Sequence, residues 1–572
     1  MTLLCVPIMV TEIDAALADC AEAKRLGAQI VEYRIDQIFS GSPEGSPLSD
    51  TDAALETREI ERLIRSSPLP AIVTCRPTFE GGFYDGDDSS RVSLYQHLGG
   101  GGNDAQGLTH PPRYIDVEFA TLSRSANIRQ KVLLAVDHPN QPRGLETGLI
   151  LSAHDFEKRP SDLTRRLLAM RAESAAKVIK VAFRARSLRD NLELFDILRE
   201  ADRPTIALGM GEFGLMSRVL APKFGAFLTF ASLRDASATA PGQPTITEIL
   251  QRYRFRSISR STRVYGVIGW PVGHSLSPLI HNAGFESVGH DAVYLPLPVA
   301  AEGVEADGGA YESFKATLLD LIDHPGLDFS GASVTIPHKE HLVRLARDQG
   351  NARGWTLTPA AAAIGAANTI DISRHADGTP ARITIDNTDA PAVAACLRDE
   401  VGEVGDLKGR TIAILGAGGV ARAAAYAAAS ESATVAIYAR TTPRAEQMVA
   451  DLAPHVSGTL LAMDWESRHQ AHADAFINCT PMGMRGGAAP DDSPIEPGAL
   501  TGCDASEVVY FDTVYNPIRT RMLTLAEDAG ATRLIDGASM FVRQGAMQFT
   551  MWTGMPAPIE MFDRLVRARL GQ

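Results

Sequence analysis

A lysine stands in the middle of the apolar run KVIKVAF at 177–183. Alternation along a strand puts Lys180 on one face with Val178 and Ala182, and Ile179, Val181 and Phe183 on the other. An amine in such a place is poor packing but a useful nucleophile. Burial and neighbouring positive charge lower its pKa, and the free amine attacks a ketone to form a Schiff base whose protonated imine acidifies the adjacent C–H. Arg34, Arg76 and Arg218 are the cations expected around it. His154, near the end of LILSAHDF, is the natural proton carrier, since its intrinsic pKa lies near the working pH.

The elements that must position these groups repeat the same pattern. Glu32, Arg34 and Asp36 oppose Val31, Tyr33 and Ile35; Asp116 and Glu118 oppose Ile115, Val117 and Phe119. Thr74 and Arg76 share a face, as do Ser152 and His154. An antiparallel sheet open to water would explain such faces as solvated. Here, however, eight β-branched runs alternate with helix-like segments over residues 1–255. That order predicts parallel strands, an α/β fold and a (β/α)8 TIM barrel, in which the polar faces point inward toward the C-terminal strand ends. The VLLAV run at 132–136 belongs to a helix or an insertion, and 99–110 and 138–147 read as loop insertions.

The second half carries a different chemistry. In HSLSP, Ser277 reads as a helix N-cap with Pro278 behind it, which leaves hydroxyls and backbone N–H groups free for a carboxylate. SVTIPHKEH presents Lys339, GAANT presents Asn368 and DNTDAPA presents Asp389, all at helix starts of a domain expected to be of parallel type. Singly, each would be a cap, a turn or a surface residue. Then GRTIAILGAGGVARAAA gives a strand, a glycine turn and a helix, with Gly416, Gly418 and Ala421 on the GxGxxA spacing that lets backbone approach a pyrophosphate. The following strand ends in ARTTPR, so Arg440 stands where an NAD enzyme carries its ribose-binding acid, and an arginine there favours the 2′-phosphate of NADP.

Bulk properties narrow the classes. At 572 residues the chain is expected to hold two to four domains. A net charge of -14 argues against nucleic acid or an anionic membrane as partner. Six scattered cysteines without CxxC spacing suggest neither disulfides nor a metal site. MTLLCVPIMV has no basic leader and no long apolar run occurs, so a soluble, cytoplasmic protein is expected. The arginines of RYRFRSISRSTR at 252–263 read as a solvated connector.

VEYRID, TCRPTFEGG, YIDVE, SAHDF, VIKVAF, GMGEFGLMSRVLAPKFG and TAPGQPT together resemble the type I 3-dehydroquinate dehydratases over residues 1–250. The resemblance implies that Lys180 forms the Schiff base with 3-dehydroquinate and that His154 is general base, then acid, in a syn loss of water. It implies that Glu80 orients His154, that Glu32, Arg34 and Arg76 meet the polar parts of the substrate, that Arg218 clamps its carboxylate and that Gln243 closes over it. Thr239 stands where that family's loop usually has Ser.

GVIGWPVGHSLSP, SVTIPHKEH, GAANT, DNTDAPA, GAGGVA, FINCTPMGM, VVYFDTVYNP and DGASMFVRQGAMQ resemble shikimate dehydrogenase across 264–572. This implies Lys339 and Asp389 as the catalytic pair, Ser275 and Ser277 on the carboxylate, and Thr335, Asn368, Tyr515, Gln544 and, more weakly, Gln548 on the ring. Gly416, Ala417, Gly418, Gly419, Val420, Ala421, Arg440, Thr441 and Arg444 would hold the phosphates and adenosine, with Thr480, Met482, Gly537 and Met540 at the nicotinamide end. Ala439 replaces the Asn usual before the Arg-Thr pair.

The expected organisation is a barrel over 1–255, a linker at 256–263, a substrate domain over 264–395 completed by a C-terminal helix at 555–572, and a Rossmann domain over 396–554. The implied function, like that of the fused plant-type enzymes, is dehydration of 3-dehydroquinate to 3-dehydroshikimate and NADPH-dependent reduction to shikimate, without a metal. Two alternatives stand beside it: a dehydratase fused to a quinate dehydrogenase, and a non-catalytic quinate-sensing regulator, which would be expected to lose the catalytic residues retained here.

Overall fold

The computed structural model describes residues 1–39, 50–100, 111–136, 146–237, 239–300, 309–375, 377–401, 407–500 and 504–571. Most of the two loop insertions expected at 99–110 and 138–147 lies outside the described residues. The chain divides into two compact units, Met1–Thr262 and Arg263–Gln572.

The first unit holds eight strands: β1 (Leu3–Met9), β2 (Ile30–Arg34), β3 (Ala71–Thr74), β4 (Tyr114–Glu118), β5 (Gly148–Asp155), β6 (Ala176–Arg184), β7 (Thr205–Met210) and β8 (Leu228–Phe230). They run in the order β7-β6-β5-β4-β3-β2-β1-β8, every ladder parallel. Across the remaining seam the Phe227 amide donates to the Thr205 carbonyl (2.8 Å), which gives a nearly closed α/β barrel. Val31, Tyr33, Val73, Ile115, Val117, Ile179 and Val181 are buried on the alternate strand face. On the face bearing Lys180, Cys5, Ile30, Ile72, Ile150, Val178, Ile206 and Leu228 form one apolar cluster that continues through Ala182, Leu208 and Phe230 beside the polar residues of β2 to β6. VLLAV ends the helix Ala126–Val136.

The arginine-rich segment after the barrel is not a solvated connector. Tyr253, Phe255 and Ile258 are buried, Arg256 donates to the Gln29 side chain and the Gly27 carbonyl (2.6 and 2.7 Å), and Lys223 Nζ donates to the carbonyls of Arg260 and Thr262 (2.8 and 2.9 Å). The aromatic residues between the arginines supply the apolar face that folds the segment onto the N-terminal ends of the strands.

In the second unit β9 (Arg263–Gly269), β10 (Ala292–Pro298), β11 (Phe329–Val334), β12 (Trp355–Leu357), β13 (Thr369–Arg374) and β14 (Pro380–Asp386) form one sheet, in the order β10-β9-β11-β13-β14-β12. The expectation of a purely parallel domain fails at β13, which is antiparallel to both β11 and β14. Residues 375–379 between β13 and β14 are too few for a crossover, so the pair is a hairpin.

The other sheet, β15 (Thr411–Leu415), β16 (Thr434–Ala439), β17 (Thr459–Asp464), β18 (Ala475–Asn478), β19 (Val509–Asp512) and β20 (Arg533–Ile535), is parallel throughout in the order β17-β16-β15-β18-β19-β20, which is the Rossmann order. The helix Gly537–Thr553 follows it. Met540 packs into the core of this sheet, whereas Ala538, Val542, Phe549 and Trp552 of the same helix pack with Tyr265, Val267 and Ile280 of the first. Phe562 and Val566 of the last helix, Ile559–Leu570, join that second cluster.

Candidate active sites

In the barrel, Lys180 is 5% exposed and points inward. Its ammonium donates to Asp116 Oδ2 at 2.8 Å, approaches Glu32 Oε1 at 3.4 Å and lies 4.8 Å from the Phe230 ring centroid. The expected ring of cations is therefore only part of its environment, because β4 and β2 each bring a carboxylate to the same layer. Arg34 is spent on Asp36 in a two-bond pair at 2.9 Å. Arg76 bridges Asp116 (2.9 Å) and Glu118 (2.8 Å). Burial works against Arg76, but those two carboxylates outweigh it and raise its pKa. Burial likewise opposes ionisation of Asp116, yet Arg76 and Lys180 together hold its carboxyl below the usual range.

His154 sits one step beyond Lys180 on the neighbouring strand, since Ser152 pairs with Lys180 and His154 with Ala182. Glu80 Oε2 accepts the His154 main-chain N–H (3.1 Å) and lies 3.0 Å from Nδ1. With Nδ1–H directed at that oxygen, Nε2 keeps its lone pair for a substrate. Burial, then Arg76 and Lys180, push the imidazole well below its ordinary pKa, so it rests neutral. Burial pushes Glu80 up to about 8, with Arg76 opposing and Glu118 and Asp116 adding.

Glu32, Arg34, Arg76, Glu80, His154, Lys180, Arg218, Thr239 and Gln243 line one pocket, together with the apolar Leu208, Met210 and Phe230. Arg218 is 2% exposed, its nearest acceptor is the Phe230 carbonyl at 3.5 Å, and its Nε has no hydrogen-bond partner. Burial alone lowers its pKa to about 10. A buried guanidinium without an anion leaves donors for a ligand carboxylate. Gln243 Oε1 accepts the Thr239 amide (3.1 Å), while its buried Nε2 has no partner.

In the second unit Lys339 opens the helix Lys339–Arg353 and meets Asp389 Oδ2 at 2.5 Å. Asn368 Nδ2 donates to Asp389 Oδ1 (2.9 Å) and Thr388 Oγ1 (3.0 Å), and reaches Gln544 Oε1 at 3.5 Å. His338, locked to the Val299 carbonyl at 2.8 Å, fixes the residue before Lys339. Thr335 is half-buried just beyond β11, and Tyr515 packs against Phe541 with ring centroids 4.9 Å apart. Gln548 makes its hydrogen bonds to protein groups. It is fully buried, accepts from Ser333 (2.7 Å) and donates to the Asn368 carbonyl (3.1 Å) and Thr369 (2.9 Å), so it braces Asn368.

Ser277 is the first residue of the helix Ser277–Ser287 rather than its N-cap, and its amide donates to Ser275 Oγ at 3.2 Å. The chain is already helical at Leu276, so the capping hydroxyl comes from one turn-residue earlier.

At the glycine turn, Gly416 has φ +118°, and a Cβ there would lie 3.1 Å from the Cys479 carbonyl. A Cβ on Gly418 would meet nothing within 4 Å, and one on Gly419 would lie 3.3 Å from Lys339 Cδ. The turn is thus open beside Gly418 and closed onto Lys339 beside Gly419. Ala417 and Val420 are partly buried, and Ala421 is fully buried in the sheet core. Arg440, Thr441 and Arg444 are exposed at the end of β16, where Ala439 pairs with Asp464 of β17. Thr480 is tied to Asn478 Oδ1 (2.7 Å), the Met482 amide to Thr480 Oγ1 (3.2 Å), and a Cβ on Gly537 would lie 2.4 Å from the Val514 carbonyl. This donor set, first-turn amides plus two arginines, suits a phosphorylated dinucleotide.

The type I 3-dehydroquinase family pattern matches residues 4–260, the shikimate dehydrogenase substrate-binding domain 267–370, and the shikimate 5′-dehydrogenase C-terminal domain 537–564. The bifunctional 3-dehydroquinate dehydratase/shikimate dehydrogenase, chloroplastic, of Arabidopsis thaliana is 35% identical over 581 residues, spanning 99% of this chain and 84% of that protein. This chain belongs to that bifunctional dehydratase–dehydrogenase family. The dehydrogenase unit is also 36% identical over 309 residues to the shikimate dehydrogenase (NADP(+)) of Methanocella arvoryzae, spanning 54% of this chain and 99% of that one. The dehydroquinate dehydratase and shikimate dehydrogenase from S. pombe AroM aligns over 99% of this chain and 98% of its own at 24% identity, with a TM-score of 0.40.

In the dehydratase unit, sequence reasoning gave no role to Asp116, Glu118 or Asp36, although RYIDVEF and VEYRID already set them on the inward face. Arg91 carried no signal at all, because a lone arginine in a helical stretch reads as surface. It is fully buried. In the dehydrogenase unit the missed groups are Ser333, Thr369 and Thr388, the hydroxyls that hold Gln548 and Asn368.

Proposed function

We propose that the chain converts 3-dehydroquinate to 3-dehydroshikimate in the dehydratase unit and reduces that product to shikimate with NADPH in the dehydrogenase unit. The observation that carries the first step is the buried Lys180 and the neutral His154 in one pocket with Arg218, a buried guanidinium without a carboxylate partner among the described residues.

Arg218 takes the substrate carboxylate and Gln243 Nε2 covers it. Lys180 gives up a proton and attacks the ketone; loss of water from the carbinolamine leaves a protonated imine. His154 Nε2 removes the proton from the carbon next to the imine, and the electron pair moves toward the imine nitrogen. The same imidazole, now protonated, returns its proton to the departing hydroxyl, so hydrogen and hydroxyl leave from one face. Asp116 and Arg76 keep Lys180 in place, and water then hydrolyses the imine to free the amine.

In the dehydrogenase unit Ser275 and Ser277 bind the carboxylate, and Thr335, Asn368, Tyr515 and Gln544 the hydroxyls. NADPH supplies the hydride. Lys339 and Asp389, 2.5 Å apart, deliver the proton to the carbonyl oxygen that becomes the hydroxyl. Arg440, Thr441 and Arg444 favour NADPH over NADH. Residence in the cytoplasm belongs to this proposal; no helix among the described residues is long and apolar enough to cross a membrane.

Borohydride added with 3-dehydroquinate should reduce the imine to a stable secondary amine on Lys180, detected by mass on the peptide containing it. Lys180→Met should show no adduct and no dehydration while reducing 3-dehydroshikimate at the unaltered rate. A folded wild-type chain that gives no adduct would overturn the proposal and favour the sensing alternative. Rates with shikimate and with quinate, each with NADP+ and NAD+, decide between shikimate and quinate as the second unit's substrate.

A further inference from the structure

Arg91 lies in the first turn of the helix Asp88–Gly100, is fully buried, and is not among the residues that line the dehydratase pocket. Its two terminal nitrogens are taken up by protein: Nη1 donates to the Cys75 carbonyl (2.8 Å) and Glu118 Oε2 (2.6 Å), Nη2 to Asp88 (2.7 Å) and Thr121 (2.8 Å). The other oxygen of Glu118 accepts from Arg76 (2.8 Å), Arg76 meets Asp116 Oδ1 (2.9 Å), and Asp116 Oδ2 accepts from Lys180 (2.8 Å). Charges alternate without a gap from Arg91 to the amine.

We propose that Arg91 is a positioning residue for the dehydratase: by clamping Glu118 it fixes Arg76 between two carboxylates, and so sets how firmly Asp116 holds Lys180. This rests on the Schiff-base reading above. Two carboxylates compete for Arg76. While Arg91 satisfies one oxygen of Glu118, Arg76 remains shared with Asp116. Without Arg91, Glu118 draws Arg76 to itself, and Asp116 is left with Lys180 and the Ser152 hydroxyl (2.6 Å). The ammonium is then held harder and the free amine becomes rarer at a given pH.

Other groups also act on Lys180, namely Glu32 on β2, Cys5 on β1, His154 on β5, and Arg218 beyond β7 in the same pocket. Arg91 itself faces Tyr95, Tyr84 and Cys75 besides its acidic partners. None of these changes in the variants below.

The test is the pH dependence of dehydratase kcat/KM in the full-length chain, with rates normalised to the fraction of chains trapped by borohydride. Arg91→Met should move the acid limb to higher pH by about 0.5–1 unit, which is roughly a three- to tenfold loss below that limb with recovery above it. KM should change little, since Arg218 is untouched. Arg91→Lys, which keeps a charge on Glu118, should leave the limb in place. Glu118→Gln frees Arg76 for Asp116 and should move the limb to lower pH, the opposite direction. An equal loss at every pH, or no change, in Arg91→Met would overturn the proposal. Should Arg91→Met fail to fold, a limb in Glu118→Gln that stays put or moves upward overturns it instead. Absence of any adduct in the wild type would bring down the Schiff-base reading itself, a separate outcome.

Discussion

Glu80 places one carboxylate oxygen on both the main-chain amide and the ring nitrogen of His154, and burial pushes its pKa to about 8. Since an unfolded glutamate titrates near 4.3, the folded dehydratase unit binds the extra proton, and this group's contribution is lost as pH rises through 8. Between pH 7 and 9 the unit should therefore lose about 1 kcal/mol that Glu80→Gln does not lose, read as a steeper fall of the wild-type melting temperature. Below the ordinary histidine range the buried neutral His154 acts with the opposite sign, so the comparison belongs above pH 7. Both side chains were legible in the sequence, His154 through strand alternation and Glu80 through the family's TFEGG motif. Ser277 was misplaced as a cap because Ser-Pro reads as a helix start, and only the backbone at Leu276 reveals that the helix begins earlier. Arg91 had no legible signature, since apart from Asp88 on its own helix its partners lie just after β3, on β4 and just beyond β4.

Two glycines of the dehydrogenase unit separate binding from packing. A methyl group on Gly537 would collide with the Val514 carbonyl at 2.4 Å, so Gly537→Ala should cost about 1–3 kcal/mol and lower the unit's melting temperature. Gly418 has open space where its side chain would be, so Gly418→Ala should melt normally yet raise the KM for NADPH roughly tenfold by filling the ground a pyrophosphate needs. Calorimetry and initial rates on the same two preparations check both. The strand–turn–helix element around Gly416 was readable because its glycines, apolar strand and alanine-rich helix agree with one another. The direction of β13 was not, since strand composition is blind to orientation and only the brevity of 375–379 demands a hairpin. The buried aromatics of 253–258 were masked by the arginines between them.

Lys180 and His154 lie in one compact unit, Lys339 and Asp389 in the other. A chain carrying Lys180→Met mixed with one carrying Asp389→Asn should therefore convert 3-dehydroquinate to shikimate. NADPH absorbance would fall after a lag set by build-up of free 3-dehydroshikimate, whereas either variant alone should stay at least about 100-fold slower. Failure of the mixture with both single activities intact would mean that the sites depend on one another. That the chain has a barrel half and a dinucleotide half was legible from motif order alone. The helix Gly537–Thr553, set within the Rossmann domain by a boundary at 554, packs Met540 into that sheet's core and Ala538, Val542, Phe549 and Trp552 into the other.

That helix puts Met540, packed under the dinucleotide fold, and Gln544, beside Asn368, one turn apart on a single rigid rod. Under the roles proposed for these two residues, cofactor choice and substrate choice share that rod. A hybrid made by splicing the nucleotide lobe of one relative onto the substrate lobe of another must cut through the rod or inherit a foreign half of it, and whichever parent donates the rod imposes its spacing on both pockets.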